Sequence, residues 1–101
     1  MHWLLFYDYV PDYLERRGAV RNAHMAHVKP YLERGELVLG GAFADPADGA
    51  VILFRADGPE VAEQFAEADP YVEAGLVAEW RVREWTTVVG ADAEHPLGRD
   101  E

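Results

Sequence analysis

A chain of 101 residues has room for one hydrophobic core and not for two, and a content of 50% hydrophobic and 12% aromatic residues is too apolar for a disordered polymer. Nine basic against nineteen acidic residues leave a formal charge of -10, which repels phosphate backbones and anionic headgroups and so excludes nucleic acid and membrane surfaces as expected partners. The sequence contains neither cysteine nor serine, which removes disulfides, thiolate metal ligands and every mechanism built on those two nucleophiles.

The first element is a β-prone run from Trp3 to Val10, ended by Pro11-Asp12. It lacks a basic leader and a small-residue cleavage site, and no later apolar stretch approaches the roughly 20 residues that cross a bilayer, so a cytoplasmic protein is expected. Asp12 to Arg34 is rich in Ala, Glu, Arg and Leu and ends at Gly35, which predicts a helix with a glycine C-cap, broken near Gly18 and kinked near Pro30. Glu36 to Ala44 reads as a second strand, with Gly40-Gly41 marking a bulge or a close backbone approach. Asp45-Pro46-Ala47-Asp48-Gly49 is a turn, making a hairpin with a third strand over Ala50 to Arg55.

Pro59 then starts a second helix, on which Val61, Ala62, Phe65 and Ala66 recur at helical spacing, and a short helical turn follows from Asp69 to Gly75. Leu76 to Val89 alternates as a fourth strand, and residues 91–101 form a polar tail that is expected to be loose, beyond a domain spanning 1–90. The order βαββαβ predicts an α+β fold of ferredoxin-like type, an antiparallel four-stranded sheet with both helices on one face. Trp80 and Val82 suggest that the other face is apolar too, and an apolar open face on so small a domain predicts pairing with a second copy.

Among residues able to carry chemistry, His24 lies at the edge of a helical stripe formed by Arg21, Met25, Val28 and Leu32, which is expected to face the core. There it can face a cleft and exchange protons near neutral pH, or it can be an ordinary half-buried histidine bonded to a carbonyl; residue type alone favours the second. Asp69 can orient such a histidine, or it can simply cap the turn that begins at Pro70, and residue type again favours the plainer role. Arg21, one turn before His24, suits a substrate carboxylate or enolate, and equally a salt bridge to one of the many acids. The His24 and His27 pair has the i, i+3 spacing of a metal site without a third ligand, so no metal or other cofactor is expected. Arg16, Arg17, Arg21 and Arg34 form a local basic cluster able to bind a small anion.

Two segments go beyond generic pattern: Arg21-Asn22-Ala23-His24 with the following Leu32-Glu33-Arg34-Gly35-Glu36-Leu37, and Ala68-Asp69-Pro70-Tyr71-Val72-Glu73-Ala74-Gly75-Leu76. Together they resemble the YCII-related (YciI-like) family over about residues 1 to 90. The resemblance implies a dimeric α+β barrel, in which two ferredoxin-like sheets pack face to face, and a cleft whose histidine and aspartate map onto His24 and Asp69. Similar folds host isomerases of muconolactone and monooxygenases that work without metal or flavin, and one branch removes chloride from hydroxylated aromatics. The expected function is therefore a cofactor-independent lyase or isomerase acting on a small hydroxylated ring or lactone, with His24 and Asp69 catalytic and Arg21 and Tyr71 positioning the substrate. The alternative is a non-catalytic dimer that binds a small molecule for recognition or regulation.

Overall fold

The computed structural model describes residues 1–96. Strand β1 (His2–Tyr9) leads to a one-turn helix α1 (Tyr13–Arg16), a 3-10 turn (Arg17–Ala19) and the long helix α2 (Arg21–Glu33). Strands β2 (Leu37–Ala42) and β3 (Gly49–Arg55) follow, then helices α3 (Glu60–Ala68) and α4 (Pro70–Glu73) and strand β4 (Val77–Trp85). The helix expected from Asp12 to Arg34 is thus parted around Gly18, where a break was expected. Pro30 stays inside α2. Ala26 and Pro30 both face solvent, so water can take the carbonyl that proline leaves without a donor.

Glycine ends both α2 and α4 in the left-handed region, with φ of 76° at Gly35 and 78° at Gly75. Behind each, a paired set of backbone bonds closes the helix: Glu36 N–H to Tyr31 O and Leu76 N–H to Tyr71 O, both 3.0 Å. These caps set the angle at which β2 and β4 enter the sheet.

The strands form one antiparallel sheet in the order β2-β3-β1-β4. Each helical connection passes over one strand, α2 over β3 and α3 over β1, which interleaves two βαβ units as the ferredoxin-like fold requires. Alternation sends Leu5, Tyr7, Ile52 and Phe54 to the helix side, where they meet Ala62, Phe65 and Ala66. Phe54 and Phe65 are fully buried, and each contributes about 1.5–3 kcal/mol of transfer free energy.

Trp80 and Val82 lie opposite Tyr7 and Leu5, so they share the covered face and pack on the core instead of standing on the open one. The open face is apolar through other residues: Leu4, Phe6, Val51 and Leu53, with Leu39 on the neighbouring edge strand. The irregularity expected at Gly40-Gly41 falls earlier, between Leu37 and Leu39, while the two glycines pair in register with Ile52 and Val51. A Cβ at Gly40 would make only ordinary 3.5 Å contact with Ile52, so what this glycine supplies is open space.

Strand β4 ends at Trp85, short of the expected Val89, because the chain turns back over β1. Thr87 is buried there, with its hydroxyl 2.8 Å from His2 Nδ1 and accepting the Glu94 N–H at 3.0 Å. These bonds and that of the His95 N–H to the Thr87 carbonyl at 2.9 Å tie the segment down as far as His95; residues 97–101 of the tail that was expected to be loose lie outside the described residues. Among the described residues, no helix is long and apolar enough to cross a membrane.

Candidate active site

A cavity of about 550 Å³ opens between α2 and the β2 edge of the sheet. Helix α2 supplies Arg21, His24, Met25, Val28 and Leu32 to one wall. The stripe expected to be core is therefore a cavity wall: Val28 is buried, but Met25 and Leu32 are 47% and 49% exposed. Periodicity reports that a helix face meets apolar space, and it is silent on whether side chains or a void fill that space.

The opposite wall belongs to β2 and β3, where Gly40, Gly41 and Ala50 keep it low. Aromatic residues close the inner end: Tyr7 and Tyr9 from β1, Tyr13 from α1 and Tyr71 from α4. The Tyr9 and Tyr13 rings stack face to face with centroids 3.6 Å apart, and Tyr13 meets Tyr71 edge-on at 5.9 Å. A void of this size, walled by rings and aliphatic side chains, fits a one-ring molecule.

Behind the aromatic end lies Asp69, with no solvent exposure. The Ala68-Asp69-Pro70 sequence places it there: α3 ends at Asp69 in extended backbone, and Pro70 opens α4 with its fixed φ. One carboxylate oxygen, Oδ1, accepts the Tyr71 backbone N–H at 3.0 Å and stands 2.7 Å from His24 Nδ1. The other, Oδ2, accepts the Tyr7 hydroxyl at 2.6 Å. The two roles weighed for Asp69 are thus both filled, since a carboxylate has lone pairs enough to cap a helix and orient an imidazole together.

Two donors, the Tyr7 hydroxyl and the Tyr71 N–H, converge on this buried carboxyl group beside the His24 contact. The His24 tautomer that donates to Asp69 carries its proton on Nδ1 and leaves Nε2 for a molecule in the cavity. The imidazole is further fixed by Tyr71, whose ring lies parallel to it at 3.9 Å and 3°. His24 is 15% exposed, enough to meet a ligand and too little to swing freely. Burial, and secondarily the Asp69 charge, raise the Tyr7 phenol far above its ordinary 10.0, so Tyr7 stays a hydroxyl donor. Tyr71 is raised as well, by burial first and then by Tyr13, while Arg21 and Arg17 pull it the other way.

His24, Asp69, Arg21 and Tyr71 are all brought to this one region, Asp69 behind the wall and the other three along it. Tyr71 serves as a plate for the imidazole as well as a wall. His27 turns away, its Nε2 2.9 Å from the Phe65 carbonyl and its ring against Phe65. Among the described residues no group of three or more His, Asp or Glu is placed to hold a metal ion. The residues that sequence reasoning missed are Tyr7, Tyr9, Tyr13 and Arg17. The three tyrosines read as strand or helix filler, and only the Arg16-Arg17-Arg21 cluster hinted at the fourth.

Comparison with known proteins finds a matching family and relatives across most of the chain. The model of the YCII-related domain matches residues 1–86. An uncharacterized protein of Haemophilus influenzae is 31% identical over 97 residues, spanning 87% of this chain and 99% of its own. Protein YciI of Escherichia coli is 31% identical over 85 residues, spanning 75% and 87%. Among solved structures, the 5-chloro-2-hydroxyhydroquinone dehydrochlorinase of Burkholderia phenoliruptrix AC1100, in complex with 2,5-dihydroxybenzoquinone, superposes with a TM-score of 0.72 at 25% identity, covering 86% of this chain and 95% of that one.

Proposed function

The chain belongs to the YCII-related family, and we propose that it is an acid–base lyase or isomerase acting on a small hydroxylated ring compound through His24 and Asp69. The observation that carries this reading is the 2.7 Å contact between His24 Nδ1 and a fully buried Asp69 at the aromatic end of a one-ring cavity. A dehydrochlorinase of the same fold, solved with a dihydroxybenzoquinone, supports the substrate class.

With Nδ1–H engaged by Asp69, the neutral imidazole presents the Nε2 lone pair to the cavity and takes a proton from a ring hydroxyl or an acidified ring carbon. Asp69 then faces an imidazolium, and its charge stabilises the state in which the proton has moved. From that state the proton returns to another carbon, which is isomerisation, or the pair freed by deprotonation forms a new π bond as a leaving group departs with the pair of its own bond, which is elimination. The Tyr7 hydroxyl and the Tyr71 amide hold the carboxylate while its partner changes charge. Arg21 at the cavity mouth offsets negative charge that develops on the ring oxygen.

The same reading includes a homodimer formed through the open sheet face. Leu4, Phe6, Val51 and Leu53 form its apolar strip, and Asp8 and Arg81 beside it pair with each other at 3.9 Å, so the strip carries no unpaired charge from these two residues into a two-fold contact.

The test is a screen of hydroxylated aromatic and lactone substrates with wild type and His24→Ala. Loss of about 10²–10⁴-fold in the variant is expected for a positioned acid–base group. Equal rates would remove the catalytic reading and leave a cavity that only binds.

A further inference from the structure

Nineteen of the 101 residues are acidic, yet no Asp or Glu lines the cavity, whereas Arg17 and Arg21 both do. The other arginines of the basic cluster are engaged elsewhere. Arg16 contacts Asp12 at 3.6 Å and donates to the Ala74 carbonyl at 2.8 Å, and Arg34 pairs with Glu36 at 2.7 Å. Neither Arg17 nor Arg21 has an ion-pair partner among the described residues. The Arg17 guanidinium stands 5.7 Å over the Tyr13 ring, which directs it at the aromatic end of the void. That the field of both arginines reaches inward is seen at Tyr71, whose phenol they pull down against the effect of burial. A local positive site maintained in a chain of net charge -10 selects for a negative occupant, because the chain as a whole repels one.

We propose that the ligand of this cavity is an anion: a flat hydroxylated ring bearing an ionised substituent, a carboxylate or an acidic enol, gripped by the guanidiniums of Arg17 and Arg21 while the ring lies against His24 and Tyr71. This rests on the cavity being the substrate site and adds the charge of the substrate. It also narrows the basic cluster to Arg17 and Arg21 and assigns Arg17 as a specificity-determining residue. Two guanidiniums on neighbouring turns suit the two oxygens of a carboxylate, and a planar anion satisfies them without bringing a counter-ion into an apolar cleft.

Calorimetric titration of the full chain with 2,5-dihydroxybenzoate and with its uncharged methyl ester tests this, since the two probes share the ring and its hydroxyls. Wild type is expected to bind the acid at least about tenfold more tightly than the ester, the value of one charge-assisted contact. The preference is expected to fall with added salt and to vanish in Arg17→Gln/Arg21→Gln, with Arg21→Lys intermediate. Equal binding of acid and ester, a preference for the ester, binding of neither at millimolar concentration, or a preference that survives the double substitution would each overturn the proposal. His24→Ala separates this from the catalytic reading: it should keep the preference for the acid while losing turnover. Should it turn over substrate like wild type while the arginine-dependent preference holds, the catalytic role of His24 falls and the anion site stands.

Discussion

His24 and Tyr71 lie ring against ring at 3.9 Å and 3°, and both are tied to Asp69 Oδ1, the first through its side chain and the second through its backbone N–H. The plane and the azimuth of the imidazole are therefore fixed by two residues two positions apart in sequence, at the start of a helix turn whose first residue is proline. Any change at Asp69 acts on His24 twice, directly and through the placement of Tyr71.

Asp69→Asn should lower turnover by about 10²–10⁴-fold, because an amide nitrogen facing Nδ1 favours the tautomer with the proton on Nε2. It should also destabilise the fold by about 1–3 kcal/mol, since an amide cannot accept from all three donors. A kcat measurement paired with a thermal melt checks both, and a variant with wild-type kcat would show that the carboxylate only caps α4.

Tyr7→Phe removes a buried donor from Oδ2 and should cost about 1–3 kcal/mol in denaturant unfolding. The pH dependence has a definite sign. Tyr7 and Tyr9 are raised above 10.0 mainly by burial, so the native state keeps both phenols protonated where the unfolded chain releases them. Their stabilising contribution is complete below pH 10 and declines above it, by about 1.4 kcal/mol per pH unit for each phenol. Wild type should lose stability steeply above that pH, and Tyr7→Phe should show a shallower alkaline slope; identical slopes would show that Tyr7 is not held neutral.

Phe6→Glu places a charge in the middle of the open face, where Phe6 pairs with Val51 and Arg81 stands 4.5 Å over its ring. Because Phe6 points away from the core, the monomer should fold. Sedimentation velocity should report a dimer for wild type and a monomer for the variant, and an unchanged sedimentation coefficient would place the contact between copies elsewhere.

Gly49→Ala brings a Cβ within 2.5 Å of the Tyr7 carbonyl oxygen and 3.3 Å of the Phe43 ring. Backbone has to give, at a cost of about 1–3 kcal/mol. Since Tyr7 is the strand residue pushed, its bond to Asp69 should weaken as well. A drop in melting temperature together with reduced turnover is expected, and a variant as stable as wild type would show that β1 and β3 have slack there.

The order of elements was legible because each is punctuated: Pro11, Gly35, the Asp45 to Gly49 turn and Pro59 stand where one periodicity stops and another starts. His24 and Asp69 were visible as residue types, but their meeting was not, since 45 positions separate them and only the folded sheet brings α2 and α4 together. Tyr7, which donates to Asp69 across 62 positions, gave no signal, because a tyrosine in a strand is what strand propensity already explains. Helical periodicity placed Met25 and Leu32 on the inward face and could not say that the face borders a void. Strand alternation likewise split β4 into two faces without saying which one the helices cover, and that choice is made by the pairing of Val82 with Leu5.

The tautomer of His24 is the most direct test of the site. A long-range proton–nitrogen correlation spectrum of the imidazole, recorded at about pH 8 where ordinary histidines are neutral, should show the proton on Nδ1, and adding 2,5-dihydroxybenzoquinone should move the Nε2 resonance. A proton resident on Nε2, or an Nε2 signal indifferent to that probe, would contradict a base held ready by Asp69.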